Sequence, residues 1–507
     1  MPKKTERTLL ITLFAVAIAI GLFTVTHYGE SWDEASKRSY ADYALHAYQY
    51  LLHPQDLPLY GSELNYYGPA YFMLTALLAR GIVAIIPVWT VVTTWHFVYF
   101  LTFLAGVYIL YLLSKRWMSE WAAFGVALLY CAQPLFWGHA FINPKDTPFT
   151  TFFMASLYLG FKMVDAPNKK YFWAILAGFI LGLSTSFRIL APYAALFITY
   201  YALRTTGRKS LSYLLTYAIT AVFTMYLTWP YLWADPIHRF LESLRVMSAF
   251  PFDQTVLFRG ELYPAASLPI SYVPTLLRLQ LTEPLLIFFA FGLIISINHF
   301  ANKDRSTLAL FFFWFLLPMT GIIASGNTLY DNFRQLFFLL PPLFIIAGLT
   351  LDYLFRKIQA APARVFVLVL LIAPGVVSAI QLHPYEYVYY NSSVGGTRGA
   401  FRNFEMDYWD TSFAEAAQYL NKVAPQNAKV IVIGAVDLFR AQARPDMQVF
   451  SIDVVKEGGG MYDYVVIHSR RNLDERRCKD AHTIFTIERQ GAVFAVVKQL
   501  TGENQCP

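Results

Sequence analysis

Charge is scarce in this chain. Asp, Glu, Lys and Arg make up 14% of 507 residues. An ordinary soluble domain carries about a quarter, and fewer cannot cover a protein of this size with a water-facing surface. Cysteine is scarcer still, three in all, so no disulfide scaffold holds the chain. Cys131 lies in an apolar run. Cys478 and Cys506 lie in the polar C-terminal part, where they can pair if that part is outside the cytoplasm. The motifs G-x-x-x-x-G-K-[ST], H-E-x-x-H and C-x-x-C are missing. The ten histidines show no metal-ligand spacing. Gly458–Gly460 precedes a strand-like run rather than a helix, which excludes a dinucleotide-binding turn. There is no fixed-period repeat or low-complexity tract.

What is present is apolar. Hydrophobic residues reach 56% and aromatics 17%, with a mean hydropathy of +0.42, the composition of a polytopic α-helical membrane protein. A span needs about 20 apolar residues. Lys3, Lys4 and Arg7 precede the run Thr8–Val25 as in a signal peptide, but the run is long and no small-x-small cleavage site follows, so an uncleaved first span is expected. Ten more follow: Trp95–Leu113, Trp121–Trp137, Phe149–Val164, Tyr171–Phe187, Ile189–Leu203, Leu211–Thr228, Leu285–Phe300, Thr307–Ala324, Leu336–Leu349 and Val365–Ile380. Ala70–Trp89 is ambiguous, because Arg80 and Gly81 near its middle also suit a helix along the interface.

The net charge of +7 marks topology rather than nucleic acid. If Ala70–Trp89 does not cross, one side holds Lys3, Lys4, Arg7, Lys115, Arg116, Lys162, Lys169, Lys170, Arg204, Arg208, Lys209, Lys303, Arg305, Arg356, Lys357 and Arg364. The short turns of the other side hold only Lys145, Arg188 and Arg334. If it does cross, most of the cations move outside, against the positive-inside rule. The expected architecture therefore has about eleven transmembrane helices over residues 1–382, with the N-terminus cytoplasmic. Outer loops fall at 27–94 and 229–282, and residues 383–507 form a small extracytoplasmic α/β domain. In that domain Phe413–Val423 has helical spacing, while Lys429–Ile433, Asp463–His468 and Val493–Val497 read as strands.

Candidate chemistry gathers on the outer side. In the first loop, Tyr40, Tyr43, Ala44, Ala47, Tyr50 and Leu51 recur at helical spacing, which predicts an amphipathic helix on the membrane surface. Ser31 and Glu34 fit a capping box at its start. Asp33 is then either a carboxylate favoured by the helix dipole or a general base at the membrane edge. The turn GHAFINPKDTPF packs His139, Asn143, Lys145 and Asp146 between two spans, stiffened by Pro144 and Pro148. It is either a solvated turn with a helix cap or a rigid presentation of charge to a ligand. Arg188 and Arg334 each interrupt apolar sequence, where a cation either snorkels to the headgroups or serves a site. The topology brings Asp33, Asp146, Arg188 and Arg334 to one face.

The segments WDE at Trp32–Glu34, YYGPAYFMLTALL, NPKDTPF, FILGLSTSFRILAP, WPYLWADPIHRFLESL with LTEP, FRQLFFLLPPL and HPYEYVYYN resemble elements of GT-C membrane glycosyltransferases. The resemblance is to the family 39 branch of protein O-mannosyltransferases and aminoarabinose transferases in bacteria. The literal Pro-Pro-Leu and Thr-Lys-Gly elements of that branch are absent. The resemblance implies an inverting glycosyltransferase of the cell (inner) membrane, taking sugar from a polyprenyl-phosphate donor to a lipid, glycan or protein acceptor. It implies Asp33 as the base and Arg188 and Arg334, then Lys145, as cations for the lipid phosphate. Asp146 and Asn143 would serve the same polar turn, Asp146 orienting Lys145 or the acceptor, and Glu34 would cap the helix within reach of the sugar. Some relatives need a divalent cation and others do not; the carboxylates here are too few and dispersed to argue for one, so no metal ligand is assigned.

A transporter or flippase of lipid-linked sugars is the main alternative. It calls for charges at mid-membrane depth or broken, repeated halves. A non-catalytic scaffold leaves the outer charges unexplained. A glycoside hydrolase needs two carboxylates set across the sugar, whereas adjacent Asp33 and Glu34 point about 100° apart on a helix.

Overall fold

The computed structural model describes residues 3–166, 168–248, 252–301, 309, 311–326, 328–453 and 461–501. The chain is a helix bundle with a small mixed sheet near its C-terminus. The first helices in chain order are α1 Lys3–Thr24, α2 Glu34–Ala47, α3 Ala70–Ile85, α4 Val91–Ser114, α5 Glu120–Cys131, α6 Pro134–Ile142 and α7 Asp146–Asp165. They are followed by α8 Lys170–Phe187, α9 Pro192–Thr206, α10 Leu211–Leu227, α11 Pro236–Ser248, α12 Tyr272–Gln280 and α13 Glu283–Ala301. Later helices span Leu317–Ser325, Pro341–Lys357, Ala361–Leu382 and Phe413–Val423.

Among the described residues, five helical stretches are long and apolar enough to cross a membrane, and up to seven if each of two bent pairs is one span. Leu215, Ile219, Val222 and Phe223 on α10 stand exposed, as a lipid-facing surface requires. This is a multi-pass membrane protein. The expected span Trp121–Trp137 is broken: Pro134 has no N–H for the α5 ladder, and α6 leaves α5 at 61°. The run expected at Leu336–Leu349 starts as a short 3₁₀ turn, Arg334–Leu339, and becomes α-helical only from Pro341. Part of the run Thr307–Ala324 lies outside the described residues.

Ion pairs fix which ends of the helices lie together. Lys115, just after α4, meets Glu6 near the start of α1 at 2.5 Å, and its neighbour Arg116 pairs with Asp165 at the end of α7. At the opposite end, His96 in the second turn of α4 meets Glu34, ten residues past α1, at 3.0 Å. α1 and α4 are therefore antiparallel, and the chain between them begins and ends at one end of the bundle. The ambiguous segment lies within that stretch. Its 16-residue helix α3 runs beside α2 through Arg80–Asp42 at 2.8 Å and beside α4 through Tyr71 and Thr102. Gly68 lets its start press on α8, since a Cβ there would sit 1.6 Å from the Ser186 carbonyl oxygen.

Three elements of the second loop had no counterpart in the sequence reading: α11, α12 and the hairpin β1 Thr255–Phe258 with β2 Glu261–Pro264. Arg259 and Gly260, at φ +53° and +83°, make its two-residue turn, the arrangement a type I′ turn needs. Gly260 N–H donates to the Asn403 carbonyl at 3.0 Å, tying this loop to the C-terminal region. There, five strands stand in the order β4-β3-β5-β7-β6: β3 Lys429–Ile433, β4 Gln448–Ser451, β5 Tyr464–His468, β6 His482–Arg489 and β7 Ala492–Gln499. β3 pairs in parallel with β4 and β5, and β7 runs antiparallel between β5 and β6. Helix Phe413–Val423 and strand β3 match their expected bounds, and Val/Ile-rich β3 and β5 are buried on both faces, the pattern of a covered parallel core. The pairing of Cys478 with Cys506 lies outside the described residues.

Candidate active site

The site is built on the turn between α6 and α7. Asn143 organises it: its side-chain oxygen accepts from the backbone N–H groups of Lys145 at 3.0 Å and Asp146 at 2.8 Å, capping the first turn of α7. Its amide nitrogen donates to Asp146 Oδ2 and to His139 Nδ1, both at 3.1 Å. Tyr408 Oη donates to the Tyr387 carbonyl, so His139 Nε2 must donate to Tyr408 Oη and leave Nδ1 as the acceptor. The turn is thereby rigid before any charge is considered.

Lys145 and Asp146 then reach in different directions. Lys145 Nζ lies 2.8 Å from Asp33 Oδ2 and 5.5 Å from the Tyr67 ring centroid. Asp146 Oδ1 accepts from Arg188, and its Oδ2 accepts from Arg334 at 2.8 Å. Asp33, Lys145, Asp146, Arg188 and Arg334, separated by up to three hundred residues, form one constellation at the end of the bundle opposite Lys115 and Arg116. The loop bearing Asp33 is moored to this turn by Ser31, whose hydroxyl donates to the Ile142 carbonyl at 2.8 Å.

Four expectations need correction. Asp146 does not orient Lys145; its two oxygens are taken by the two arginines and Asn143. Glu34 is fully buried, holding the Ser31 N–H at 2.6 Å and His96, so it is a cap and brace rather than a sugar contact. The Ser31 hydroxyl, taken by Ile142, does not complete the capping box. Asn143, expected among the substrate-binding residues, is likewise fully buried, its side chain engaged by Lys145, Asp146 and His139.

Three partners were missed. Lys37 stands one turn along α2 from Asp33 and reaches its Oδ1 at 3.4 Å, a spacing of four that was available in the sequence. Asp331, three residues before Arg334, accepts from its Nε and Nη2 at 3.2 and 2.9 Å. Arg470 reaches Asp331 Oδ1 at 2.5 Å from the C-terminal region, and no local pattern announces it. Each buried charge in the cluster has at least one partner of opposite sign, as burial demands.

The side chains differ in access. Those of Asp33 and Arg188 remain 17% and 13% exposed, while that of Arg334 is 3% exposed. Arg188 Nε is buried without a hydrogen-bond partner, and Arg188 lines a cavity of about 320 Å³ with Tyr66, Tyr67, Tyr330, Leu244 and Met247. Burial alone would raise the Asp33 pKa, but Lys145, Lys37 and Arg334 outweigh it and hold the carboxyl far below its usual range. Burial pulls Lys37 down to about 8 against the attraction of Asp33, and it lowers Lys145 as well. Among the described residues no three His, Cys, Asp or Glu side chains are placed to hold a metal ion. The carboxylates face arginines and lysines, so the residues present do not fit a divalent cation.

Comparison with known proteins matches this picture at the level of the fold. The profile described as dolichyl-phosphate-mannose-protein mannosyltransferase matches residues 71–233, a stretch that includes Lys145, Asp146 and Arg188. ArnT from Cupriavidus metallidurans in the apo state superposes with a TM-score of 0.52 at 13% identity, over 100% of both chains. The chain has the GT-C fold. The apo oligosaccharyltransferase of Archaeoglobus fulgidus superposes with a TM-score of 0.50 at 11% identity, over 92% of this chain and 70% of that one. No curated protein matches by sequence. In this example of the GT-C fold, the Asp33 loop and the Arg334 turn lie outside the stretch matched by the profile.

Proposed function

We propose that the chain is an inverting glycosyltransferase that moves a sugar from a polyprenyl-phosphate donor to an acceptor at the Asp33 end of the bundle. One observation carries this reading. Consecutive residues of a single rigid turn hold a partly open carboxylate, through Lys145, and a pair of guanidiniums, through Asp146. A displacement at an anomeric carbon with a phosphate leaving group needs both: a base for the incoming hydroxyl and fixed positive charge for the departing anion.

Asp33 takes the proton from the acceptor hydroxyl as its oxygen attacks the anomeric carbon. The bond from that carbon to the phosphate oxygen breaks on the opposite face, so the configuration inverts. Arg188, which lines the cavity, receives the lipid phosphate. Arg334 stands behind it and fixes Asp146. Lys145 is shared: a phosphate that draws it away from Asp33 leaves the carboxylate a stronger base when the donor is in place. The lipid tail has a path. An apolar groove of about 760 Å³ runs between α8, α9, α10 and α11, and α11 lines both this groove and the Arg188 cavity.

The matched profile, named for mannosyl transfer from a dolichyl phosphate, supports the same donor class. The test is transfer from a radiolabelled polyprenyl-phosphate sugar in membranes carrying the wild type or Asp33→Asn. Turnover should fall by orders of magnitude while donor binding persists; equal turnover removes Asp33 as base. Movement of the lipid-linked sugar across vesicles without glycosidic transfer would favour a flippase instead.

A further inference from the structure

The C-terminal region reaches into the charge cluster at one point. Arg470 follows β5 and is 2% exposed; its Nη2 donates to Asp331 Oδ1 at 2.5 Å, and its Nε lies 3.6 Å from Glu405 Oε2. The other oxygen of Asp331 accepts from both Nε and Nη2 of Arg334. The guanidinium of Arg470 also lies 5.9 Å from the ring of Trp32, the residue before Asp33. One side chain from the C-terminal region thus reaches both the Asp33 loop and the Arg334 turn.

The backbone on both sides of this contact is unusual. Asp331 and Asn332 have φ of +53° and +61°, and Arg471 and Asn472 both have +57°. Left-handed non-glycine residues are uncommon, and consecutive pairs more so. Here one such pair contains Asp331 and the other directly follows Arg470, so each loop is turned to aim its charged side chain at the other. Strained conformations of this kind persist where the surrounding structure over-determines them, and they gather at functional sites.

We propose that Arg470 is a positioning residue for the lipid-phosphate site: it clamps Asp331, which holds Arg334 against Asp146 and so sets the place of Arg188. This rests on the reading of Arg188 and Arg334 as the phosphate cations. Without Arg470, Asp331 loses its second cation and Arg334 its fixed orientation, while Asp33 keeps Lys145 and Lys37. The phosphate site should loosen and the proton-transfer site should not. Coupling is reciprocal, so a bound lipid phosphate must also steady the loop that bears Arg470.

The probe is undecaprenyl phosphate added to the full-length protein in detergent. In the wild type it should slow amide hydrogen exchange in residues 469–473; unchanged exchange there, with binding confirmed, overturns the proposal. Arg470→Ala should weaken probe binding at least tenfold and raise the donor KM more than it lowers kcat. Arg470→Lys should recover part of that loss, because it restores the charge on Asp331 without the reach to Glu405. Asp331→Asn combined with Arg470→Ala should be no worse than either alone. Equal losses for Lys and Ala, or a fall in kcat with KM unchanged, assign Arg470 a purely structural role. Arg188→Ala and Arg334→Ala are measured alongside: if they too leave probe binding intact, the phosphate site itself is wrong, whereas if they alone weaken it, only the role of Arg470 falls.

Discussion

Lys145 Nζ stands 2.8 Å from Asp33 Oδ2, while Lys37 approaches the other oxygen of the same carboxylate at 3.4 Å. The proposed base rests between two ammonium groups, and its strength is set by how firmly they hold it. Asp33→Asn keeps the shape and removes the base. Turnover should fall by about 10²–10⁴-fold, the usual worth of general base catalysis, with donor affinity within a few-fold of wild type. Single-turnover transfer alongside donor binding reads both quantities.

Lys37 gives the site a dependence on alkaline pH. Burial lowers its pKa from 10.5 to about 8. As pH rises through about 8, its charge beside Asp33 disappears and the carboxylate becomes a stronger base, so the rate should climb. Lys37→Met should flatten that climb; an unchanged climb assigns it to another group. The stability effect has its own sign. The folded pKa lies below the unfolded value, so the unfolded chain binds more protons between about 8 and 10.5. Stability from this group therefore rises with pH across that window.

Lys145→Met should move the acid side of the rate profile. Lys145 is the largest of the charge partners holding Asp33 below its usual range, and its loss should bring the carboxyl back toward about 4. The depressed carboxyl stabilises the fold above its unfolded pKa, and that contribution is lost as pH falls through the folded value. The variant should consequently lose turnover and stability at a higher pH than wild type, measurable by activity and thermal unfolding between pH 3 and 6.

Arg188→Ala and Asp146→Asn separate binding from support. Arg188 faces the cavity, so its loss should weaken polyprenyl-phosphate binding by about ten- to a hundredfold, the worth of one charge-assisted contact. Asp146→Asn leaves two buried guanidiniums without their shared anion, at a cost on the order of 3–5 kcal/mol in stability. A melting temperature within one degree of wild type for Asp146→Asn would contradict the shared-anion role.

Gly68→Ala tests the seat of α3. A methyl group there meets the Ser186 carbonyl at 1.6 Å, so α3 and Tyr67 must shift away from α8. Overpacking of this kind costs about 1–3 kcal/mol. Activity should fall with stability, since Tyr67 borders both Lys145 and the Arg188 cavity. Normal turnover would show that the start of α3 does not help position the site.

Much of the site was legible because isolated charges in apolar sequence are conspicuous. Arg188 and Arg334 stood out for that reason, Lys145 and Asp146 as a polar cluster between two apolar runs, and the distribution of cations brought Asp33, Asp146, Arg188 and Arg334 to one face. Lys37 was hidden in the charge-rich run SWDEASKRSY, although it lies one helical turn from Asp33. Asp331 sat within YDNF, where an acidic residue reads as ordinary turn chemistry. Arg470 had no local signal, since its partner is 139 residues away. In the fold, Val- and Ile-rich β3 and β5 announced themselves, whereas half-exposed β4 and β6 did not. The bend after Cys131 was missed because Ala132, Gln133 and Pro134 scarcely interrupt the run's hydropathy.

That bend has a geometric result of its own. α6 has nine residues and departs from α5 at 61°, so its far tip is carried sideways by about 12 Å relative to a straight continuation. The elbow at Pro134 leads the chain to the Asn143–Asp146 corner, where side chains from three distant stretches, Asp33, Arg188 and Arg334, converge on two neighbouring residues.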